Sequence, residues 1–316
     1  MEEHSEEHKE PHKEPIEEKE EKKKFSFREF YEKHYKKLLF FPVILIIFAF
    51  LQIALQTAIT GDFMLKGVSL KGGITVSIEK ALSVKELKDI LGGKFPKADV
   101  IVRALSKGGQ QFGVVIEASD ISADDMISAV EEKMGKLEKE EYTVEVMGGS
   151  LGASFFKETI KAVIIAFIFM GIVVFIYFRI PIPSLAVILC AFSDIIVTLA
   201  IVNTIGIKMS TAGIAAFLML IGYSVDTDIL LSTRVLKRKE GTVTDSIISA
   251  AKTGLTMNLT TIAAIIIALI FAQSDVIRQI MTILLTGLFV DIINTWVQNA
   301  GILKWYVERK HKHVKG

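Results

Sequence analysis

Long uncharged apolar runs alternate with charged segments along this chain, and each run has the length of a membrane helix. A helix needs about 20 apolar residues to cross a hydrocarbon core of roughly 30 Å. Proline, glycine or charged residues separate the runs from one another. The pattern predicts six spans, at residues 38–60, 160–178, 183–205, 209–233, 254–274 and 279–303.

The stretch between the first two runs has the pattern of a small folded domain, which we call the inserted domain. β-rich segments occur at residues 74–78, 98–105, 112–117 and 142–147, with Gly108 and Gly109 marking a hairpin. Two helix-forming stretches begin at Ser83 and Ser122, each followed three positions later by an acidic residue that suits a helix cap. The order β-α-β-β-α-β predicts a ferredoxin-like domain whose sheet has one free face, able to bind a partner chain.

We therefore expect an α-helical membrane protein with six transmembrane helices and one α+β ferredoxin-like domain inserted between spans one and two. Five segments follow from this interpretation. They are a disordered tail with an interfacial helix (1–37), the first transmembrane helix (38–60), the inserted domain (61–150), transmembrane helices two to six (151–303) and a basic tail (304–316).

Lysine and arginine residues set the expected orientation. They cluster before the first span, after the fourth and after the sixth, while the opposite loops carry little more than Lys208 and Arg278. Basic residues flank the cytoplasmic ends of membrane helices. We therefore expect a multi-pass protein of the cytoplasmic membrane with both termini in the cytoplasm and residues 61–150 outside. Aromatic and basic residues interleaved at 25–35 predict a helix in contact with membrane lipid.

Composition supports a membrane protein and excludes several other classes. The chain has 316 residues, is 51% hydrophobic and carries a formal charge of +1, with a mean hydropathy of +0.44. A soluble domain, a disordered chain and a nucleic-acid-binding protein that relies on bulk charge do not fit these values.

No motif for enzymatic chemistry or cofactor binding occurs. Phosphate-binding loops, nucleophile elbows and zinc spacings are missing, so we expect no enzyme, no cofactor and no metal. His4, His8 and His12 are four residues apart, but Pro11 breaks the helix that would align them. The lone Cys190 lies in an apolar run and is expected to be a small buried side chain.

Four acidic residues fall inside the predicted spans, where the only basic residue is Lys161, next to the start of the second span. They are Asp194, Asp226, Asp228 and Asp291. Charges in the bilayer core cost at least about 2.5–3.5 kcal/mol, so each acid is a candidate functional residue. Asp226 and Asp228 are about 200° apart around their helix, so at most one of them faces a given interior. Hydroxyl and amide residues in these spans suit proton or ion movement, although they also hold ordinary helix bundles together.

Three segments resemble the SecF branch of the SecD/SecF family, which belongs to the RND superfamily. They read Gly67-Val-Ser-Leu-Lys-Gly-Gly73, Gly149-Ser-Leu-Gly-Ala-Ser-Phe-Phe-Lys-Glu158 and Ile214-Ala-Ala-Phe-Leu-Met-Leu-Ile-Gly-Tyr-Ser-Val-Asp-Thr-Asp228. The small inserted domain favours SecF over SecD, and the long tail resembles archaeal members. The motif residues are Gly67, Gly72, Gly73, Gly152, Gly222, Tyr223 and Ser224.

The resemblance implies an RND-type half bundle that pairs with six-span SecD and assists the SecYE channel. In that scheme the proton motive force moves domains that hold unfolded exported polypeptides, and a carboxylate in the fourth span is the key residue. Asp226 occupies the position that SecD-type members give to aspartate, so we rank it first and Asp228 second, with Asp194 and Asp291 as further members of a proton or sodium relay. Lys252 approximates a basic residue that bacterial members carry at the start of the fifth span.

Two other functions stay open at this stage. In the first, the chain is a scaffold that joins SecD to the channel, and the buried acids only pack the helices. In the second, the chain is an RND-type exporter of small molecules. The size of the inserted domain argues against the exporter, since residues 61–150 leave little room for a substrate funnel.

Overall fold

The structure, a computed structural model, describes residues 27–315 apart from 97, 108–109, 238–240 and 273. The histidine-containing tail and the Gly108–Gly109 hairpin of the sequence interpretation lie outside the described residues. Within the described part, the chain is mostly helical and contains one small sheet.

Six helical segments of the described chain are long and apolar enough to cross a membrane, as the hydrophobic pattern predicted. The helices that form them are α2 (Phe40–Thr60), α6 (Gly149–Phe178), α7 (Pro181–Ile205), α8 (Thr211–Leu236), α9 (Val243–Phe271) and α10 (Asp275–Ile293), which continues through a π-helical segment (Asn294–Asn299) into α11 (Ala300–Lys315). α6 and α9 each begin 11 residues before the corresponding predicted span. Their first turns contain polar residues, so the apolar run that hydropathy detects starts later than the helix. A capping box between Thr242 and Asp245 starts α9.

The inserted domain is a four-stranded antiparallel sheet with two helices on one face. Its elements are β1 (Gly73–Ile78), α4 (Val84–Lys94), β2 (Val100–Lys107), β3 (Gln110–Ala118), α5 (Ala123–Met134) and β4 (Tyr142–Met147), and the strands lie in the order β2-β3-β1-β4. The side chains of Ser83 and Ser122 cap α4 and α5 as predicted, each accepting a hydrogen bond from the backbone N–H three residues on. Alternate residues of β1 and β3 bury against both helices, for example Val76 and Ile116 against Leu87 and Met126.

A short linker joins the inserted domain to the membrane helices through backbone contacts. Just before the single-turn helix α3 (Val68–Lys71), the N–H of Gly67 donates to the carbonyl of Met209, and the N–H of Met209 donates to the carbonyl of Leu65. The side chain of Asn203 donates to the carbonyl of Phe63 at 3.0 Å. An ion pair between Lys208 and Asp99 adds a contact from the α7–α8 turn to the domain. The domain is therefore held at the start of α8.

The helix α1 (Phe27–Leu38) packs against the opposite end of the bundle. Tyr31 and Tyr35 are buried beside Leu303 of α11, and Arg28 forms an ion pair of 3.3 Å with Asp245 at the start of α9. The buried ammonium group of Lys304 lies 4.7 Å from the centre of the Tyr35 ring. Two aromatic rings of this helix therefore face protein. Contact of the helix with membrane lipid stays a prediction.

Glycine residues of two motif segments allow α3 to lie directly on α6. A Cβ atom at Gly152 would come within 2.7 Å of the backbone nitrogen of Gly72, and one at Gly72 within 2.5 Å of the Cα of Gly149. Gly72 also has a φ angle of +88°, which favours glycine. These glycines are required by a backbone-to-backbone contact.

We predict that Gly152→Ala lowers the stability of the folded chain by about 1–3 kcal/mol, because the methyl group must displace backbone atoms that cannot rotate away. The apparent melting temperature of the purified protein in detergent micelles measures this change. Gly92→Ala in α4 is the matched control, since a Cβ there meets no atom within 4 Å and alanine favours a helix. Equal melting temperatures for wild type and Gly152→Ala would contradict the close-contact explanation.

Candidate functional site: a buried acid cluster

Three carboxyl groups meet in the middle of the helix bundle. Asp194 on α7, Asp228 on α8 and Asp291 on α10 are each completely buried. We call these three residues the acid cluster. Because three different helices supply them, the site depends on tertiary packing of the bundle.

Hydrogen-bond donors surround the carboxyl group of Asp194. The hydroxyl of Ser224 donates to its Oδ2 at 2.5 Å, and Nδ2 of Asn294 donates to its Oδ1 at 2.7 Å. Both donors are fully buried. Ser224 belongs to the motif segment of α8, and its contact gives that motif residue a physical role.

Asp228 and Asp291 share one hydroxyl group. Thr295 Oγ1 lies 3.1 Å from Oδ1 of Asp228 and 3.0 Å from Oδ1 of Asp291. A hydroxyl has a single hydrogen to donate. The second contact is therefore a hydrogen bond only when that carboxyl group carries a proton of its own.

Amide side chains complete the cluster. Nδ2 of Asn299 donates to Asp228 at 2.7 Å, and Nδ2 of Asn258, on α9, donates to Asp291 at 3.0 Å. Thr227 Oγ1 lies 3.3 Å from both oxygens of Asp291. Four helices and the π-helical segment thus converge on the three acids.

The π-helical segment explains how so many polar residues from one helix reach the cluster. Asn294 and Asn299 are five residues apart, which in an α-helix places them about 140° apart. Hydrogen bonds of the i→i+5 type, such as that from the N–H of Ala300 to the carbonyl of Thr295, widen the turn and bring such residues to one side. Both amides consequently contact acids.

Several buried oxygens of the cluster have no hydrogen-bond partner among the described residues. They are Oδ2 of Asp228, Oδ1 of Asn294, Oδ1 of Asn299 and Oε1 of Gln298. All four are acceptor oxygens, so the described part of the site has acceptors to spare. No described hydrogen bond or ion pair joins a lysine or an arginine to the three acids.

Asp226, which the sequence ranked first, lies elsewhere. Its side chain is on the exposed face of α8, away from the cluster. The rotation of α8 places Asp228, which the sequence ranked second, beside Asp194 and Asp291, while a role of Asp226 as the cation carrier stays a prediction. Tyr223 and Gly222 are exposed on the same outer face.

Lys252 does not approach the acids either. It is exposed on α9, six residues before Asn258 and therefore on another face of the helix. The sequence interpretation also missed Asn299 and the contact of 3.9 Å between the sulfur of Cys190 and the hydroxyl of Thr295. The adjacent polar pair Gln298–Asn299 in an apolar helix was the available signal for Asn299.

Comparisons with known proteins agree with this architecture. A family model described as "Protein export membrane protein SecD/SecF, C-terminal" matches residues 126–309. The protein-export membrane protein SecF of Pyrococcus furiosus is 40% identical over 285 residues, which cover 87% of this chain and 92% of the relative. SecF of Methanocaldococcus jannaschii is 40% identical over 284 residues, covering 87% and 96%.

A solved structure shares the fold. The crystal structure of SecDF from Thermus thermophilus superposes with a TM-score of 0.67 at 18% identity and covers 90% of this chain. The chain spans 39% of the length of SecDF. This is a multi-pass membrane protein, and by sequence and fold the chain belongs to the SecD/SecF family of protein-export membrane proteins, on its SecF side.

Proposed function

We propose that the chain promotes protein export by coupling it to a proton or sodium gradient through the acid cluster. The observation that carries this proposal is the burial of three carboxyl groups from three membrane helices, with hydroxyl and amide donors around them and no lysine or arginine bonded to them among the described residues. A structural ion pair would place a basic residue there to compensate the charge. A site that lacks one and has spare acceptor oxygens is completed by a mobile cation.

The shared hydroxyl of Thr295 supports a proton-dependent switch. With one proton on the Asp228–Asp291 pair, both contacts of Thr295 are hydrogen bonds. Without that proton, two negative carboxylates compete for one hydrogen in a region of low dielectric constant, where like charges repel strongly. Loading and unloading of a cation therefore changes the packing between α8 and α10.

Partners follow from family membership. We propose that the chain pairs with SecD in a twelve-span bundle and acts beside the SecYE channel on unfolded exported polypeptides. SecDF of Thermus thermophilus is described as translocon-associated, and this chain corresponds to about two-fifths of that protein. The proposal includes no enzymatic step and no bound cofactor.

We propose further that the inserted domain is a ferredoxin-like domain on the outer side of the membrane. The β2-β3-β1-β4 order with both helices on one face supports this assignment. Clusters of basic residues around the chain ends and after α8 support cytoplasmic termini. The free face of the sheet then points toward polypeptides that emerge from the channel.

A scaffold is the second candidate. Each acid of the cluster accepts at least one hydrogen bond from a buried side chain, and such bonds also hold helices together without any transport. In that case the acids stabilise the bundle, and the chain only joins SecD to the channel.

Asp228→Asn is expected to abolish gradient-dependent stimulation of export, because an amide neither takes up a proton nor supplies the negative charge that holds a cation. Export into inverted membrane vesicles under separately imposed proton and sodium gradients measures the effect and identifies the ion. Asp124→Asn, on the exposed first turn of α5, is the control that keeps full stimulation. If Asp228→Asn keeps full stimulation of export and Asp226→Asn loses it, Asp226 is the carrier, as the sequence ranking has it. If Asp228→Asn instead prevents the chain from assembling with SecD, the scaffold is favoured.

Cysteine labelling tests the orientation. We expect a membrane-impermeant maleimide to label Glu132→Cys, in the inserted domain, from outside intact cells. Arg309→Cys in α11 should react only after the membrane is opened. The native Cys190 is fully buried and provides an unreactive background. The reverse labelling pattern would contradict cytoplasmic termini.

A further inference from the structure

A cleft lies between α1 and α11, at the end of the bundle remote from the inserted domain. Its lining consists of Tyr35 and Lys36 from α1 and of Trp305, Glu308 and Arg309 from α11. The cleft has a volume of about 200 Å³. A water molecule occupies roughly 30 Å³ in the liquid, so the cleft has room for a group of several atoms. We call it the α1–α11 cleft.

Two cations line this cleft, and each lies against an aromatic ring. The ammonium group of Lys36 is 5.9 Å from the centre of the Tyr35 ring, and the guanidinium carbon of Arg309 is 5.4 Å from the centre of the Trp305 ring. Among the described residues, no ion pair joins Lys36 or Arg309 to a carboxyl group. Contact with a ring holds a cation in place but leaves its charge uncompensated.

The one acid of the lining, Glu308, already has partners. The hydroxyl of Tyr35 donates to its Oε2 at 2.7 Å, and the ammonium group of the buried Lys304 lies 3.9 Å from its Oε1. Lys304 therefore balances the charge of Glu308. The charges of Lys36 and Arg309 remain, which makes the α1–α11 cleft a positively charged site.

The cleft lies beside the end of the apolar surface of the bundle. Phe40, at the start of α2, is 67% exposed, and its neighbour Leu39 packs against Gly301 of α11, where a Cβ atom would come within 2.7 Å of the leucine side chain. Trp305 and Arg309 follow Gly301 by one and two turns, or about 6 and 12 Å. Helical side chains lean toward the N-terminus of their helix, which here points Arg309 back toward the membrane. This is the level of lipid headgroups.

We propose that the α1–α11 cleft binds the phosphate group of an anionic membrane lipid. Arg309 offers a planar pair of N–H donors that matches two phosphate oxygens, and Lys36 supplies a second positive charge from the facing helix. A lipid fits better than a soluble phosphate compound, since an acyl chain attached to the phosphate can lie on the apolar surface at Phe40. The bound lipid joins α1 to α11. This inference depends neither on gradient coupling nor on the orientation of the bundle.

Lipid binding to the purified full-length chain in detergent tests the site. Native mass spectrometry measures the affinity for phosphatidylglycerol, which is anionic, and for phosphatidylcholine, which is zwitterionic, with inorganic phosphate as a competitor. We expect phosphatidylglycerol to bind at least about tenfold more tightly than phosphatidylcholine, because two basic residues contact the headgroup. Lys36→Gln and Arg309→Gln should each weaken that binding about fivefold, the effect of one basic residue beside an anionic lipid.

The chain offers a matched control for each variant. Lys37→Gln and Lys310→Gln remove the same charge one residue further along α1 and α11, about 100° around the helix, and both residues are exposed and do not line the cleft. They should keep the affinity of the wild type to within about twofold. Lys36→Arg retains the charge and should retain the affinity.

Three outcomes would overturn the proposal. Equal weakening in all four glutamine variants would mean a general attraction of lipid to basic surface, and equal affinities for the two lipids would exclude a phosphate site that selects anionic lipid. Displacement of phosphatidylglycerol by an equal concentration of inorganic phosphate would assign the cleft to a soluble anion. The melting temperature of each variant without lipid checks folding, and if Lys36→Gln is unstable, the comparison of Arg309→Gln with Lys310→Gln decides.

Discussion

The architecture of the bundle depends on the need to satisfy three carboxyl groups that are buried at mid-membrane. Each unsatisfied polar group in a region without water costs several kcal/mol. Donors therefore have to come from neighbouring helices at fixed positions, as Ser224, Asn258 and Asn294 show. The relative rotation of α7, α8, α9 and α10 follows from these contacts as much as from apolar packing, since the apolar residues alone permit many rotations.

A π-helical segment is the local solution to this constraint. It places two amides five residues apart on the same carboxyl cluster, and a regular α-helix does not. The same continuous helix carries Lys304 one turn further on, where the ammonium group donates to Thr244 and lies against the two tyrosine rings of α1. A change in the acid cluster that alters the π-helical segment therefore also alters the contact between α11 and α1.

Hydropathy and turn chemistry predicted the six helical segments, the order of elements in the inserted domain and the caps at Ser83 and Ser122. These features depend on local sequence. Which of the two acids, Asp226 or Asp228, faces the bundle interior does not depend on local sequence alone. Apolar residues occupy most faces of α8, so its periodicity gives little information about rotation, and the position suggested by family resemblance pointed outward. The widened turn at Asn294–Asn299 could not be predicted from the sequence either, because a π-helical segment is stabilised by tertiary contacts rather than by a residue pattern.

Helix α8 connects the elements that an export cycle has to couple. The backbone of Met209, two residues before its first turn, holds the linker of the inserted domain, and its middle holds Asp228 inside the bundle and Asp226 outside. Because a helix is stiff over this length, it moves as a unit, and packed interfaces change between discrete arrangements rather than continuously. A shift of α8 against the π-helical segment at Thr295 would therefore also move Met209. In the proposed function, the loading of the acid cluster and the position of the inserted domain then change in one displacement, without a separate signal for each.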